Sequence, residues 1–338
     1  MPQHLDGLAW PTREWPLGDV TTQVADATEF GTAPVDAAAL SDALDEIGAT
    51  DGERGSSLAT VVVHRGCIVA ERYCNGTDAD TAVISWSMAK SITQAVIGML
   101  VGDGLIDIDA PAPVPEFSNN EKATITVRDL LSMRSGLEFV EDYVDDSVSH
   151  CLDMLFGAGK DDHAKYAASQ QLIHEPGAVW NYSSGTTNIV CRIAGDVIGA
   201  AAGLDAGAPT ETAVRDFLDQ RLFAPLGMTS ASARFDSAGT FVGSSYVFAT
   251  ARDFARFGYL YLRNGVWEGR RLLPEGWVDE ARTVTAVDES PPHFGYGAHW
   301  WIWRDQPGSL AAHGYEGQYI IVVPERDLVI VHLGKIPA

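Results

Sequence analysis

The sequence predicts an α/β (α+β) chain, with an antiparallel sheet flanked by helices, built from the two ends of the chain, and a large all-helical lobe inserted between them. Three observations predict it. Strand-forming runs cluster near the N-terminus, at Leu58 to His64 and Cys67 to Tyr73. A second cluster follows residue 296 or so. Between them, from Val127 to about Asp288, the pattern is mostly helical. At 338 residues, 46% of them hydrophobic, the chain can bury a large core and is too long for one simple two-layer domain.

Each element follows from local patterning. Residues 1–35, with Trp10, Trp15 and several Pro and Gly, read as an arm laid over the surface. Asp36 to Ile47 is a short amphipathic helix with Ala39, Leu40, Leu44 and Ile47 on one face. Arg65-Gly66 makes the tight turn of a hairpin between the first two strands, and Asn75-Gly76 marks the next turn. Ser87 to Val101 is the best helix, with Ile92, Val96, Met99 and Leu100 as its stripe and Gly102 and Gly104 at its end. Further helices are expected at 127–133, 147–157, 162–173, 186–201, 211–222, 250–263 and 274–282, with long loops at 134–146 and 229–249. Strands are expected at His299 to Trp303, Leu310 to Ala312, Gln318 to Val323 and Leu328 to Leu333, with a turn at Pro324 to Asp327. The expected division is a 1–35 arm, a sheet lobe from 36–86 and 290–338, and a helical lobe from 87–289, with the active site between the lobes.

Composition narrows the function. The balance of 46 acidic to 23 basic side chains, a net charge of −23, repels phosphate and argues against nucleic acid. Lysine is scarce, at Lys90, Lys122, Lys160, Lys165 and Lys335. No apolar run is long enough for a membrane helix, and residues 1–20 lack the pattern of a secretory signal, so a cytoplasmic address is expected. Cys67, Cys74, Cys151 and Cys191 are scattered without a C-x-x-C pair, which suggests free thiols rather than a zinc or redox site.

Three segments carry chemistry. In Ser87-Met88-Ala89-Lys90 the serine and lysine, three apart, share one helix face. Ser87 stands at the expected helix start, where free backbone N–H groups and the helix dipole can hold an oxyanion. The positive helix end and burial both disfavour an ammonium at Lys90, and a neutral amine can accept the serine proton. In Asn181-Tyr182-Ser183-Ser184-Gly185, Ser183 or Ser184 can cap the following helix and hold Tyr182 on a rigid turn, from which its phenol could pass a proton. In Ala312-His313-Gly314-Tyr315-Glu316-Gly317-Gln318, glycines at a strand end admit a substrate backbone. The signatures G-x-S-x-G, HExxH, the phosphate-binding loop and G-x-G-x-x-G do not occur.

These elements in this order resemble the penicillin-recognising (β-lactamase-like) serine hydrolases, in the class C branch and its esterase and 6-aminohexanoate-oligomer hydrolase members. Phrases such as Leu131-Ser132-Met133-Arg134-Ser135-Gly136-Leu137 and Ala249-Thr250-Ala251-Arg252-Asp253-Phe254 add to the likeness, which covers roughly residues 36–336. The resemblance implies a β-lactamase/transpeptidase-like fold and cleavage of an amide or ester through an acyl-enzyme. It implies Ser87 as nucleophile, Lys90 as base and Tyr182 as proton relay. It further implies the backbone N–H groups of Ser87 and Tyr315 as the oxyanion hole, and substrate contacts at Tyr143, His313, Gly314 and Trp86. No metal or organic cofactor is required. The expected partners are a small-molecule ester or amide and a possible homodimer mate, with no nucleic acid and no membrane. The alternatives are a β-lactamase or D-Ala carboxypeptidase-type enzyme, or a non-catalytic binding module of the same fold. Two departures bear on the choice: Tyr182-Ser183-Ser184 stands where β-lactamases have Tyr-x-Asn, and Ala312-His313-Gly314 where they have Lys-Thr-Gly. Loss of that lysine removes a charge that would hold a β-lactam carboxylate.

Overall fold

The computed structural model describes residues 1–18, 35–48, 55–143 and 148–336. Its strands are β1 (Ser56–His64), β2 (Cys67–Tyr73), β3 (Val83–Ile84), β4 (Ser232–Ala233), β5 (Val247–Ala249), β6 (Val266–Trp267), β7 (Arg270–Arg271), β8 (Ala286–Val287), β9 (Gly295–Tyr296), β10 (Trp301–Ile302), β11 (Leu310–Gly314), β12 (Gln318–Val323) and β13 (Leu328–Lys335). Its α-helices are α1 (Ala37–Gly48), α2 (Ala89–Gly102), α3 (Val127–Leu131), α4 (His150–Phe156), α5 (His163–Ala168), α6 (Ser184–Ala201), α7 (Glu211–Phe217), α8 (Ala224–Leu226), α9 (Ala251–Leu262) and α10 (Trp277–Arg282).

The two ends of the chain form one antiparallel sheet in the order β2-β1-β13-β12-β11-β10-β9-β8. Register explains why. Val61 stands opposite Val331, Val331 opposite Ile320, and Val63 opposite Val329. Residues directly opposite share a face, so these β-branched side chains build one continuous buried surface. Helix α9 lies on it. Gly258 sits so close to Ile320 and Val329 that an added Cβ would stand 2.8 and 2.7 Å from their side chains. The hairpin at Arg65-Gly66 has positive φ at both positions, 53° and 87°, the twist a two-residue turn between antiparallel strands requires.

Caps fix the helix starts. Asp36 Oδ1 accepts from Ala38 and Ala39 N–H ahead of α1. Thr126 and Asp129 form a reciprocal capping box on α3, and Ser183 Oγ accepts from Thr186 N–H on α6. The arm packs by its aromatics. Trp10 lies 5.2 Å from Trp267, Trp15 lies 5.9 Å from Tyr259, and the Trp15 indole donates to the Arg252 carbonyl. The rest of that arm, residues 19–34, falls outside the described residues, as do residues 144–147 of the expected 134–146 loop and 147–157 helix.

The structure differs from the sequence reading in instructive places. The expected 229–249 loop contains β4 and β5, which pair with β3 in a second sheet of order β3-β5-β4. These strands are two and three residues long, too short for a periodic signal. The main sheet also extends beyond the expected strands to β8 and β9, again two residues each. The helix expected from Ser87 begins instead as a 3-10 turn at Trp86–Met88 before α2. The stretch 211–222 is α-helical only to Phe217 and continues as a π-helix over Leu218–Phe223.

Candidate active site

The Ser87 turn is held from below by the small sheet. Ser85 N–H donates to the Val247 carbonyl at 2.7 Å, and Ser85 Oγ accepts from Val247 N–H at 3.1 Å. Trp86 takes a left-handed φ of 43°, uncommon for a bulky side chain. Its indole donates to Glu316 Oε2 at 2.9 Å, and Glu316 also pairs with Lys335. Ser87 follows in the first turn of the 3-10 segment, where backbone donors have no intrahelical acceptor.

Lys90 is one turn further on and is 1% exposed. Its Nζ lies 2.9 Å from Ser87 Oγ, 2.9 Å from Ser184 Oγ and 3.1 Å from the Ser244 carbonyl. It also sits 4.9 Å from the centre of the Tyr182 ring. Burial pushes the Tyr182 phenol above its ordinary range, while the Lys90 charge and hydrogen bonds with Ser87 and Lys90 pull it back. The three side chains therefore meet at one point, as their spacing in the sequence could not by itself require. A serine proton has an adjacent amine to move to, and a phenol stands ready on the other side.

These groups face a cleft of about 600 Å³ lined by Ser87, Phe139, Val140, Glu141, Tyr143, Trp180, Asn181, Tyr182, Asp288, Trp301, His313, Gly314 and Tyr315. Its size suits a small molecule. Tyr143 lines the wall, its ring 5.1 Å from that of Tyr315. His313, Gly314 and Tyr315 line the wall from the end of β11. Trp86 does not line the cleft; its ring packs on Tyr246 and Tyr315 behind it. Gly314 is needed where it is, because an added Cβ would stand 2.4 Å from the Ser85 carbonyl oxygen.

His313 carries no charge into the cleft. It stacks on Trp301, accepts from the Trp303 indole at 3.2 Å, and burial lowers its pKa to about 3. A second imidazole, His299, is 2% exposed behind the site and bonds Thr187 Oγ1 through Nε2 at 2.7 Å. Burial and then the Lys90 charge lower it from 6.5 to about 3. Its folded value lies below its unfolded value, so the unfolded chain takes up the proton first as pH falls. Stability should drop between about pH 6.5 and 3, by up to about 1.4 kcal/mol per pH unit from this one ring. Urea unfolding at pH 7 and pH 5 checks it, with His299→Gln expected to lose less stability than wild type over that step.

Sequence reasoning missed four participants. Ser184, expected only as an alternative cap, contacts Lys90, while Ser183 makes the cap. The Ser244 carbonyl comes from the unrecognised β4–β5 connection. Glu141 bonds Ser184 through both oxygens. Asp288 lines the cleft from the end of β8. None had a local signal for its place in the site, because each reaches Lys90 or the cleft through tertiary contact. Among the described residues no cluster of His, Cys, Asp and Glu is arranged to hold a metal ion, and no helix is long and apolar enough to cross a membrane.

An antiparallel sheet flanked by helices, with a serine and a buried lysine sharing one turn at the floor of an aromatic cleft, defines a serine hydrolase of the amidase and esterase type. A family model described as Beta-lactamase matches residues 41–335, and the chain belongs to that family. It is 27% identical over 296 residues to a 6-aminohexanoate-dimer hydrolase of Paenarthrobacter ureafaciens, covering 82% of this chain and 72% of the relative. A solved Bacillus anthracis structure assigned to the same hydrolases has a TM-score of 0.71 at 25% identity, covering 92% of this chain and 78% of that one. A D-stereospecific amidohydrolase of Streptomyces shares the fold, with a TM-score of 0.63 at 22% identity, over 90% of this chain and 96% of that one.

Proposed function

We propose that the chain hydrolyses a small linear amide or ester through an acyl group carried on Ser87. Lys90 in its neutral form takes the Ser87 proton as the serine oxygen bonds to the substrate carbonyl carbon. The carbonyl electron pair moves onto oxygen, which rests between the N–H groups of Ser87 and Tyr315. Tyr182 passes a proton to the leaving nitrogen or oxygen as that bond breaks, and water then releases the acyl group by the same steps in reverse. The observation that carries this reading is the 2.9 Å contact between Ser87 Oγ and a fully buried Lys90 amine on the floor of the cleft.

The lining supports a linear amide or ester over a β-lactam. Glu141 and Asp288 supply carboxylates, His313 is neutral, and among the described residues no lysine or arginine other than the buried Lys90 beneath Ser87 stands at the cleft to bind a substrate carboxylate. Similarity to the 6-aminohexanoate-dimer hydrolase points the same way. A fluorophosphonate probe should label one serine, located by peptide mass spectrometry at Ser87, and p-nitrophenyl esters should turn over about 100-fold faster than nitrocefin. Labelling at another serine, or retention of turnover in Ser87→Ala, would remove the assignment.

A further inference from the structure

Lys90 can act as a base only if its lone pair, rather than an N–H, faces Ser87. Hydrogen-bond polarity decides this, and the decisive group is outside the serine, lysine and tyrosine set. We infer that Glu141 is a positioning residue that, through the Ser184 hydroxyl, turns the Lys90 lone pair onto Ser87; the inference rests on the role of Lys90 proposed above.

The argument is one of donors and acceptors. A carboxylate only accepts. Glu141 Oε2 lies 2.7 Å from Ser184 N, and Glu141 Oε1 lies 2.5 Å from Ser184 Oγ and 2.6 Å from the Tyr143 hydroxyl. Ser184 is 1% exposed, so no bulk water competes for its hydroxyl. Its single proton is committed to Glu141. Ser184 Oγ can then only accept from Lys90, at 2.9 Å. The Ser244 carbonyl, 3.1 Å from Nζ, likewise can only accept. A neutral amine has two N–H bonds, and both are now used. What remains for Ser87 Oγ, at 2.9 Å, and for the Tyr182 hydroxyl that bonds both Ser87 and Lys90, is the lone-pair side of the amine. When the proton arrives, the resulting ammonium keeps the same two acceptors and gains a carboxylate one hydroxyl away.

Glu141 is itself held in place. Asn181 Nδ2 donates to the Phe139 carbonyl at 2.9 Å, and Val140 N–H donates to His150 Nδ1 at 2.9 Å, tying this segment to the starts of α6 and α4. The carboxylate is therefore a fixed part of the wall.

Glu141→Gln reverses the polarity with little change of shape. The glutamine oxygen keeps the Ser184 N–H, and its NH2 then donates to Ser184 Oγ. The Ser184 proton turns toward Lys90 and occupies the lone pair. The same NH2 also displaces the Tyr143 hydroxyl proton, which can move KM, so the readout is the loss of about 100-fold expected in both the rate of Ser87 labelling by the fluorophosphonate and kcat for a p-nitrophenyl ester. Ser184→Ala removes the hydroxyl that transmits the effect and should cost only about 10-fold. The double variant Glu141→Gln/Ser184→Ala should match Ser184→Ala, and so be faster than Glu141→Gln alone, a rescue that also shows the chain is folded. A role in packing or substrate contact gives no such rescue. Glu141→Gln at the wild-type rate, or a double variant as slow as Glu141→Gln, overturns the inference and leaves Ser87 labelling in the wild type intact. Wild-type protein unlabelled at Ser87 overturns both this inference and the proposed function.

Discussion

Replacing Lys90 by methionine is expected to lower kcat for an ester substrate by about 10,000-fold, the scale on which serine enzymes lose rate when the base is removed. The reason is local. Among the described residues Lys90 Nζ is the basic group within hydrogen-bond reach of Ser87 Oγ, and His299 and His313 are turned to Thr187 and Trp303. Methionine fills nearly the same volume, and its thioether suits the buried site better than an ammonium would. The fold should therefore survive, with the unsatisfied Ser244 carbonyl as the main cost, about 1–3 kcal/mol. Steady-state kinetics and a thermal melt on the same sample separate the two effects. A folded Lys90→Met enzyme keeping more than about a hundredth of wild-type kcat would remove Lys90 from the reaction.

Gly314→Ala is the second large expected effect, and it acts without touching a side chain. The new Cβ would fall 2.4 Å from the Ser85 carbonyl oxygen and 2.8 Å from Gln318 Cβ. Ser85 cannot give way, since it is fully buried and bonded to the Val247 backbone on both sides. The end of β11 must retreat, and with it the Tyr315 N–H. If that N–H and the Ser87 N–H share the oxyanion, widening their separation should cost about 100- to 1,000-fold in kcat with a smaller change in KM. Overpacking should lower stability by about 1–3 kcal/mol. Unchanged kcat in Gly314→Ala would mean that Tyr315 does not supply the second donor.

The contrast between those two positions shows how far the sequence could be read. Lys90 was legible because a three-residue interval fixes a shared helix face, and because an apolar stripe follows it. The sheet ends were legible for a similar reason, since Val61, Val63, Ile320, Val329 and Val331 belong to continuous β-branched runs long enough to register. Tyr182 was legible only through a resemblance in order, as a turn residue with no periodicity to place it. The tight approach of Gly314 to Ser85 was not legible at all. It depends on how the last strands meet a turn more than 200 residues earlier.

The sequence by itself determined the antiparallel sheet from the chain ends, the one-turn interval between Ser87 and Lys90, and the acidic surface, because each rests on short-range spacing or on composition. Tertiary structure alone decided what the site can do. It brought β3, β4 and β5 together beneath Ser85, set the Ser244 carbonyl and Ser184 on Lys90, and placed the Glu141 carboxylate behind Ser184. Those contacts join residues up to about 160 positions apart, through strands of two or three residues and single polar atoms. A local pattern carries no information about such partners, whereas hydrogen-bond direction in a buried site is fixed by which partner arrives.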